Sequence, residues 1–232
     1  MSQGIMKGGN GLLQRISQGK YGVEIGGPST TGEVIYFYAS NMDNVVFSPS
    51  TVWANNVGGY NFFKGKSGKI IINDAVNINN VDDKAYDFLF ASHCLEHIAN
   101  PLKALKEWLR ITKPDGHIIL ILPEKSMCFD HRRKISSFST ILSQYEKDVG
   151  EDDLSTLPEI LANHDLSMDP PAGTFRQFKE RSLKNFENRC LHHYVYSPEL
   201  LKEMCNFLNC KFIYTVTDKL NMWFIMKKVQ TV

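Results

Sequence analysis

Tyr86-Asp87-Phe88-Leu89-Phe90-Ala91-Ser92-His93-Cys94-Leu95-Glu96-His97-Ile98 is the stretch on which the reading of the fold turns. Tyr86 to Phe90 is short, mostly apolar and aromatic-rich, as a strand covered on both faces should be, and it ends at Ala91-Ser92-His93. Beyond it, Asn100 can cap a helix and Pro101 suits its first position. Leu102, Leu105, Trp108 and Leu109 then share one helical face. Lys113-Pro114-Asp115-Gly116 stops that helix, and His117 to Leu122 reads as a further buried strand closed by Pro123. Strand, crossover helix, strand predicts a parallel pair.

Upstream, Tyr21 to Ile25 reads as a strand running into Gly26-Gly27-Pro28, and Asn44 to Phe47 as one running into Ser48-Pro49-Ser50. A short helix over Thr30 to Ala39 fits between them, and Lys69 to Ile72 is a third strand ending at Asn73-Asp74. Downstream the rhythm breaks from Glu124 to about Tyr196, a polar stretch of mixed charge holding four of the seven histidines. Ser197-Pro198-Glu199 then opens a helix. Phe212 to Val216 and Met222 to Met226, joined by a polar turn around Asp218, must pair antiparallel because the connection is short. The prediction is an α/β, Rossmann-like domain over 21–232, with a mostly parallel seven-stranded sheet and an antiparallel terminal hairpin. Residues 1–20 are expected to be a helix or linker. The insertion of about 124–196 is expected to act as a substrate lid at the carboxyl edge of the sheet, where open α/β sheets bind ligands.

Composition narrows the function classes. A formal net charge of +1 gives no basic excess for nucleic-acid phosphates, so no nucleic-acid partner is expected. No apolar run reaches the length of a membrane span, and Met1 to Lys20 lacks the apolar stretch of a secretory signal. The five cysteines are scattered with no C-x-x-C pair, which favours a reducing compartment, expected to be the cytoplasm.

Val23-Glu24-Ile25-Gly26-Gly27-Pro28-Ser29 joins a strand to a glycine turn, through which backbone can approach a ligand closely. Glu24 puts a carboxylate where a purely structural strand would carry an apolar residue. This arrangement resembles motif I of class I S-adenosylmethionine-dependent methyltransferases. Residues 86–122 look closely like that family's fourth-to-fifth-strand region, and five strands followed by a terminal hairpin is its element order. The resemblance implies S-adenosyl-L-methionine as cofactor, held by Glu24, Gly26, Gly27, Pro28 and Ser29, with Ser92 and His93 beside the sulfonium. Asp74-Ala75 occupies the adenine position, although Asp74 is equally suited to capping a helix. The sequence departs from the family in two places. The glycines are adjacent instead of alternating, and the acid usual after the second strand is replaced by Phe47-Ser48, which leaves Ser48 or Thr51 for the ribose.

A finer resemblance rests on Glu24 to Ser29, Phe47 to Trp53, Phe129-Asp130-His131-Arg132-Arg133, Glu151-Asp152-Asp153-Leu154 and Arg189-Cys190-Leu191-His192-His193. Together these segments are similar to methyltransferase domains found beside glycosyltransferases in glycan-building proteins, chlorovirus multidomain proteins among them. That implies a sugar hydroxyl as acceptor, glycosyltransferase domains as partners and, for a viral chain, the host cytoplasm. An O-methyltransferase needs a base, and the insertion is the expected source. His131 is the leading candidate, with Asp130 orienting it or acting itself, and His164-Asp165 and His192-His193 stand in reserve. The plainer reading is that these histidines satisfy buried backbone groups.

A metal reading of His93 with Glu96-His97 lacks a third ligand, so no metal ligands are assigned. The insertion does carry donors suited to a divalent cation. Two rival functions stay open: an inactive cofactor- or glycan-binding domain, and an NAD(P)-dependent enzyme. The latter expects G-x-G-x-x-G after the first strand and an acid near the end of the second, and this chain has neither.

Overall fold

The structure, a computed structural model, describes residues 7–51 and 68–229. Helix α1 (Lys7–Ser17) leads into β1 (Tyr21–Ile25), α2 (Glu33–Tyr38), β2 (Asn41–Val46), β3 (Ile70–Ile72) and β4 (Tyr86–Ser92). Next come α3 (Pro101–Ile111) and the long β5 (Thr112–Pro123). Four helices lie in the insertion: α4 (Phe138–Glu146), α5 (Leu157–Asn163), α6 (Phe175–Ser182) and α7 (Asn185–Asn188). Helix α8 (Pro198–Phe207) and strands β6 (Cys210–Thr217) and β7 (Asn221–Lys228) finish the chain.

The seven strands lie in the order β3-β2-β1-β4-β5-β7-β6. Strands β1 to β5 pair parallel, and β7 inserts antiparallel between β5 and β6. This is the expected Rossmann-like sheet with its antiparallel end. The order reverses between β1 and β4, and this switch point is where such sheets bind ligands.

Each face of the sheet is covered. On one side Val23, Leu89, Ile118 and Leu120 meet α3 and α8 through Leu105, Trp108 and Leu201. On the other, Phe88, Phe90, Ile119 and Ile225 meet Leu13 and Ile16 of α1 and Ile35 and Tyr36 of α2. Helix α3 is capped as its sequence predicts, with the Asn100 side chain accepting from the Lys103 amide and Pro101 at the first position.

Two boundaries differ from the sequence reading for identifiable reasons. Strand β2 begins at Asn41 because Asp43, polar in sequence, is buried as an acceptor. It takes bonds from the Tyr21 and Tyr86 hydroxyls at 2.6 and 2.7 Å and from the Lys69 amide at 2.7 Å. Burial, reinforced by this carboxylate, pushes both tyrosine hydroxyls far above their usual range. Strand β5 starts at Thr112, so Lys113 to Gly116 is a distorted strand entry with Asp115 at positive φ instead of a helix stop.

The insertion has two parts. Ile141 of α4 packs into the main core beside α3 and α8, whereas Leu157, Ile160, Ala172, Phe178 and Leu191 form a small core of their own.

Trp108 ties this scaffold to the ligand edge. It is fully buried, and its indole N–H donates to the Ala75 carbonyl at 2.9 Å, just beyond β3. Trp108→Ala should cost about 3–5 kcal/mol by opening a cavity. Trp108→Phe, which keeps most of the volume but leaves that carbonyl unpaired, should cost on the order of 1–3 kcal/mol. Urea unfolding of the two variants checks the ranking.

Candidate active site

A cavity of about 430 Å³ opens at the carboxyl ends of β1, β2, β3 and β4, within the size range of small-molecule sites. Gly26, Gly27 and Pro28 form one wall, and Asn73, Asp74 and Ala75 another. Val45, Val46, Phe47 and Thr51 come from the end of β2, and His93, Cys94, His97 and Ile98 from the end of β4. The insertion contributes Glu151 and Arg189.

The glycine loop is held from behind. Glu24 has no exposed surface; its carboxylate accepts from the Ser29 amide at 3.1 Å and from the Tyr36 hydroxyl. Burial raises its pKa to about 7 despite those bonds. A Cβ on Gly27 would fall 2.1 Å from the Glu24 carboxyl carbon, so glycine is required there by the protein's own packing. At Gly26 the requirement is conformational: its φ is +78°, and a Cβ would stand 3.1 Å from Cys94 Sγ, another residue lining the cavity.

Glu24 is thus a positioning residue behind the cavity wall instead of part of it. Ser29 and Ser92 lie in the same supporting layer: the Ser92 hydroxyl meets Thr31 Oγ1 at 2.6 Å, and Thr31 in turn donates to Ser29 Oγ. Ser48 turns away to the backbone of Ser50. Of the residues expected on the cofactor, Gly26, Gly27, Pro28, Thr51, Asp74, Ala75 and His93 line the cavity.

Asp74 caps no helix. It closes a tight turn by accepting from the Val76 amide at 3.1 Å, and its second oxygen takes Arg189 Nη2 at 3.0 Å. Arg189 also lies 3.4 Å from Glu151 and over the rings of Phe47 and Phe186. The residues expected from the sequence to catalyse or bind cofactor omit Arg189 and Glu151, because nothing local ties them to the Asp74 wall, which is 115 residues from Arg189. Both belong to segments that carried the finer resemblance, and Arg189 also reads in sequence, with Arg132, Arg133 and Arg176, as a grip for an anionic acceptor.

The insertion's expected bases all lie off the large cavity. His131 pairs with Asp165 at 2.9 Å, beside Arg132, and Asp130 does not orient it. Asp130 is buried and faces the other way, contacting His192 Nδ1 at 2.5 Å and Arg133 at 3.0 Å. His164 is sandwiched between Phe129 and Phe178 and meets Asp169. After Pro123 the chain turns through Lys125–Met127, which carries His131 away from the sheet edge.

The cavity's own histidines come from the core. His93 adopts a positive φ of 48°, with Nε2 2.8 Å from Asn221 Oδ1 and Nδ1 3.5 Å from Glu96. His97 is driven down to about 3, chiefly by burial and then by His192, and so stays neutral.

Residues 44–120, about a third of the chain, match the methyltransferase-domain family. Among solved structures, the chain is similar to an S-adenosylmethionine-dependent methyltransferase from Aquifex aeolicus, with 14% identity over 94% of this chain and 88% of that one and a TM-score of 0.52. It is also similar to PH0226 from Pyrococcus horikoshii OT3 (12% identity, 94% and 85%, TM-score 0.54). A third similar structure is the methyltransferase CalH in complex with SAH (12% identity, 95% and 55%, TM-score 0.53). At these identities the likeness is one of fold. No curated protein sequence gives a significant match. The match over residues 44–120 and the shared fold are what this chain has in common with S-adenosylmethionine-dependent methyltransferases. Among the described residues no helix is long and apolar enough to cross a membrane.

Glu24 supplies a test of how the loop is held. The native carboxyl keeps its proton up to about pH 7, whereas an unfolded chain loses it near the ordinary 4.5. Its stabilising contribution, about 3 kcal/mol, is therefore fully present below pH 4.5 and fades as the pH climbs towards 7. Glu24→Gln should remove that gradient. Urea unfolding at about pH 5 and about pH 8 should show a larger loss for the wild type than for the variant.

Proposed function

We propose that the chain is an O-methyltransferase that moves the methyl group of S-adenosylmethionine to a sugar hydroxyl of a glycan. One observation carries the transfer: a glycine-walled cavity at the switch point ends, on its β4 side, in a histidine braced by two partners. The residues fit the cofactor. Gly26 and Gly27 form the backbone wall against which its methionine end would lie, and Asn73 to Ala75 suit the adenine. Thr51 with Phe47 stands where the ribose would lie. When bound, the cofactor supplies a methyl already activated by the sulfonium.

The chain's own task is then to place an acceptor oxygen in line and take its proton. Alignment is worth roughly 7–11 kcal/mol in favourable cases and a positioned base on the order of 10²–10⁴-fold. His93 takes the base role, because it lines the cavity and its ring is steadied by Asn221 and Glu96. The sugar class rests on the sequence segments shared with glycan-building methyltransferases. Arg189 and Glu151 bring two of those segments to the cavity wall.

Two variants separate binding from chemistry. Gly26→Val should abolish S-adenosylmethionine binding by calorimetry in a folded chain, and unchanged affinity would remove the glycine loop from the site. His93→Ala should lower turnover by ~10²-fold or more while cofactor affinity stays within a few-fold. Acceptors are identified by incubating the protein and methyl-labelled cofactor with a panel of glycans, amines and carboxylates. Label on a sugar oxygen is the expected outcome, and label confined to nitrogen or carboxylate acceptors would overturn the O-methyl reading.

A further inference from the structure

Behind the large cavity, the β4 end and the insertion meet around Glu96. Its side chain is 2% exposed, yet neither carboxylate oxygen makes a hydrogen bond; the nearest imidazole nitrogen is His93 Nδ1 at 3.5 Å. A buried carboxylate without donors carries a desolvation penalty of several kcal/mol, so its surroundings should hold something that answers it. The backbone shows what has been brought there. The His193 amide donates to the Glu96 carbonyl at 2.8 Å, which fixes His192 beside Glu96 although the two are far apart in sequence. The His192 and His97 rings meet edge to face, 4.5 Å between centroids. A second, small cavity of about 10 Å³, close to the room one water or bare ion needs, is lined by Glu96, Lys125, Cys128, Asp130 and His192, while His97 lies on the large cavity beside it.

We infer that Glu96, His97 and His192 form a binding site for a divalent transition-metal ion of the Zn²⁺ type, clasping the insertion to the end of β4. One donor atom from each residue lies within 4.8 Å of the others. Ligands at about 2.0–2.1 Å from a tetrahedral ion stand about 3.4 Å apart, so modest side-chain rotation completes the set. Two imidazoles and one carboxylate favour Zn²⁺ over Mg²⁺, which prefers an all-oxygen octahedron. Asp130 completes the design: accepting from His192 Nδ1, it leaves Nε2 to coordinate, the usual work of a carboxylate behind a metal-bound histidine. Cys128 with Asp130 and His192 is a competing set. Asp130 already serves Arg133 and His192 at hydrogen-bond distance, however, whereas Glu96 has only the His93 ring, at 3.5 Å. The third ligand that the sequence did not reveal for Glu96-His97 is thus His192, delivered by the fold.

The test uses the full chain, freed of metal by a chelator and titrated with Zn²⁺ and separately with Mg²⁺. Calorimetry should show one equivalent of Zn²⁺ bound per chain, with a rise in Tm that Mg²⁺ does not reproduce. Glu96→Gln should weaken Zn²⁺ binding on the order of 100-fold, and Cys128→Ser should leave it unchanged. Absence of saturable Zn²⁺ binding overturns the site. So does unchanged affinity in a folded Glu96→Gln chain, or loss of binding in Cys128→Ser. Should Glu96→Gln fail to fold, Co²⁺ added to the wild-type chain decides. Visible d–d bands without a thiolate charge-transfer band support the Glu96-His97-His192 set, and a thiolate band or no bands at all refutes it.

Discussion

Glu24 ends the first strand as a carboxylate sealed from water, accepting from the Ser29 amide and the Tyr36 hydroxyl. Those two bonds join β1, the glycine loop and α2 into one body, and Gly27 packs so closely on the carboxyl that no side chain fits. The loop's path, and with it one wall of the cavity, follows from this buried contact. Removing the donors would leave an unpaired polar group in the core, far costlier than the modest net gain of an ordinary hydrogen bond. The supporting layer of Thr31, Ser29 and Ser92 extends the same bracing to β4.

The insertion is attached by polar contacts more than by apolar area. Arg133 is buried, and it donates to Asp130, to Glu159 and to the carbonyls of His192 and His193. Glu151 accepts from the Ala99 amide and from Asn185 and pairs with His193. Arg189 reaches Asp74 across the cavity mouth. Buried ion pairs of this kind add little net stability, but breaking one leaves an uncompensated charge, so they specify a single placement. Asp130 and His192 illustrate this: burial alone would discharge both, yet their mutual bond pushes the imidazole pKa up and the carboxyl pKa down.

This attachment explains why the insertion's histidines do not line the large cavity. His192 spends Nδ1 on Asp130, His193 spends Nε2 on Glu151 and Asn185, and His164 is enclosed by aromatic rings. They hold the insertion to the core. The ionisable groups that face the cavity come mostly from the strand ends, where the sheet supplies rigid positions.

Apolar periodicity, the Asn100-Pro101 helix start and the glycine turn after β1 were enough to establish the sheet, its antiparallel end and the location of the ligand edge. These signals are local, because a buried strand or a capped helix must satisfy its own backbone within a few residues. Asp43 shows where local reading stops: a carboxylate inside a strand looks like a boundary until two tyrosines, one from β1 and one from β4, are brought to it. The same holds for the site. The glycine loop, Asp74 and His93 could be placed by their distance from a strand end. The pairings His131 with Asp165, Asp130 with His192, Arg189 with Asp74 and His192 with Glu96 span roughly thirty to more than a hundred residues. Side chains in a polar insertion have no period that reveals their direction. Only the tertiary structure, by matching each buried charge to a partner, decided which of them faces the cavity and which holds the fold.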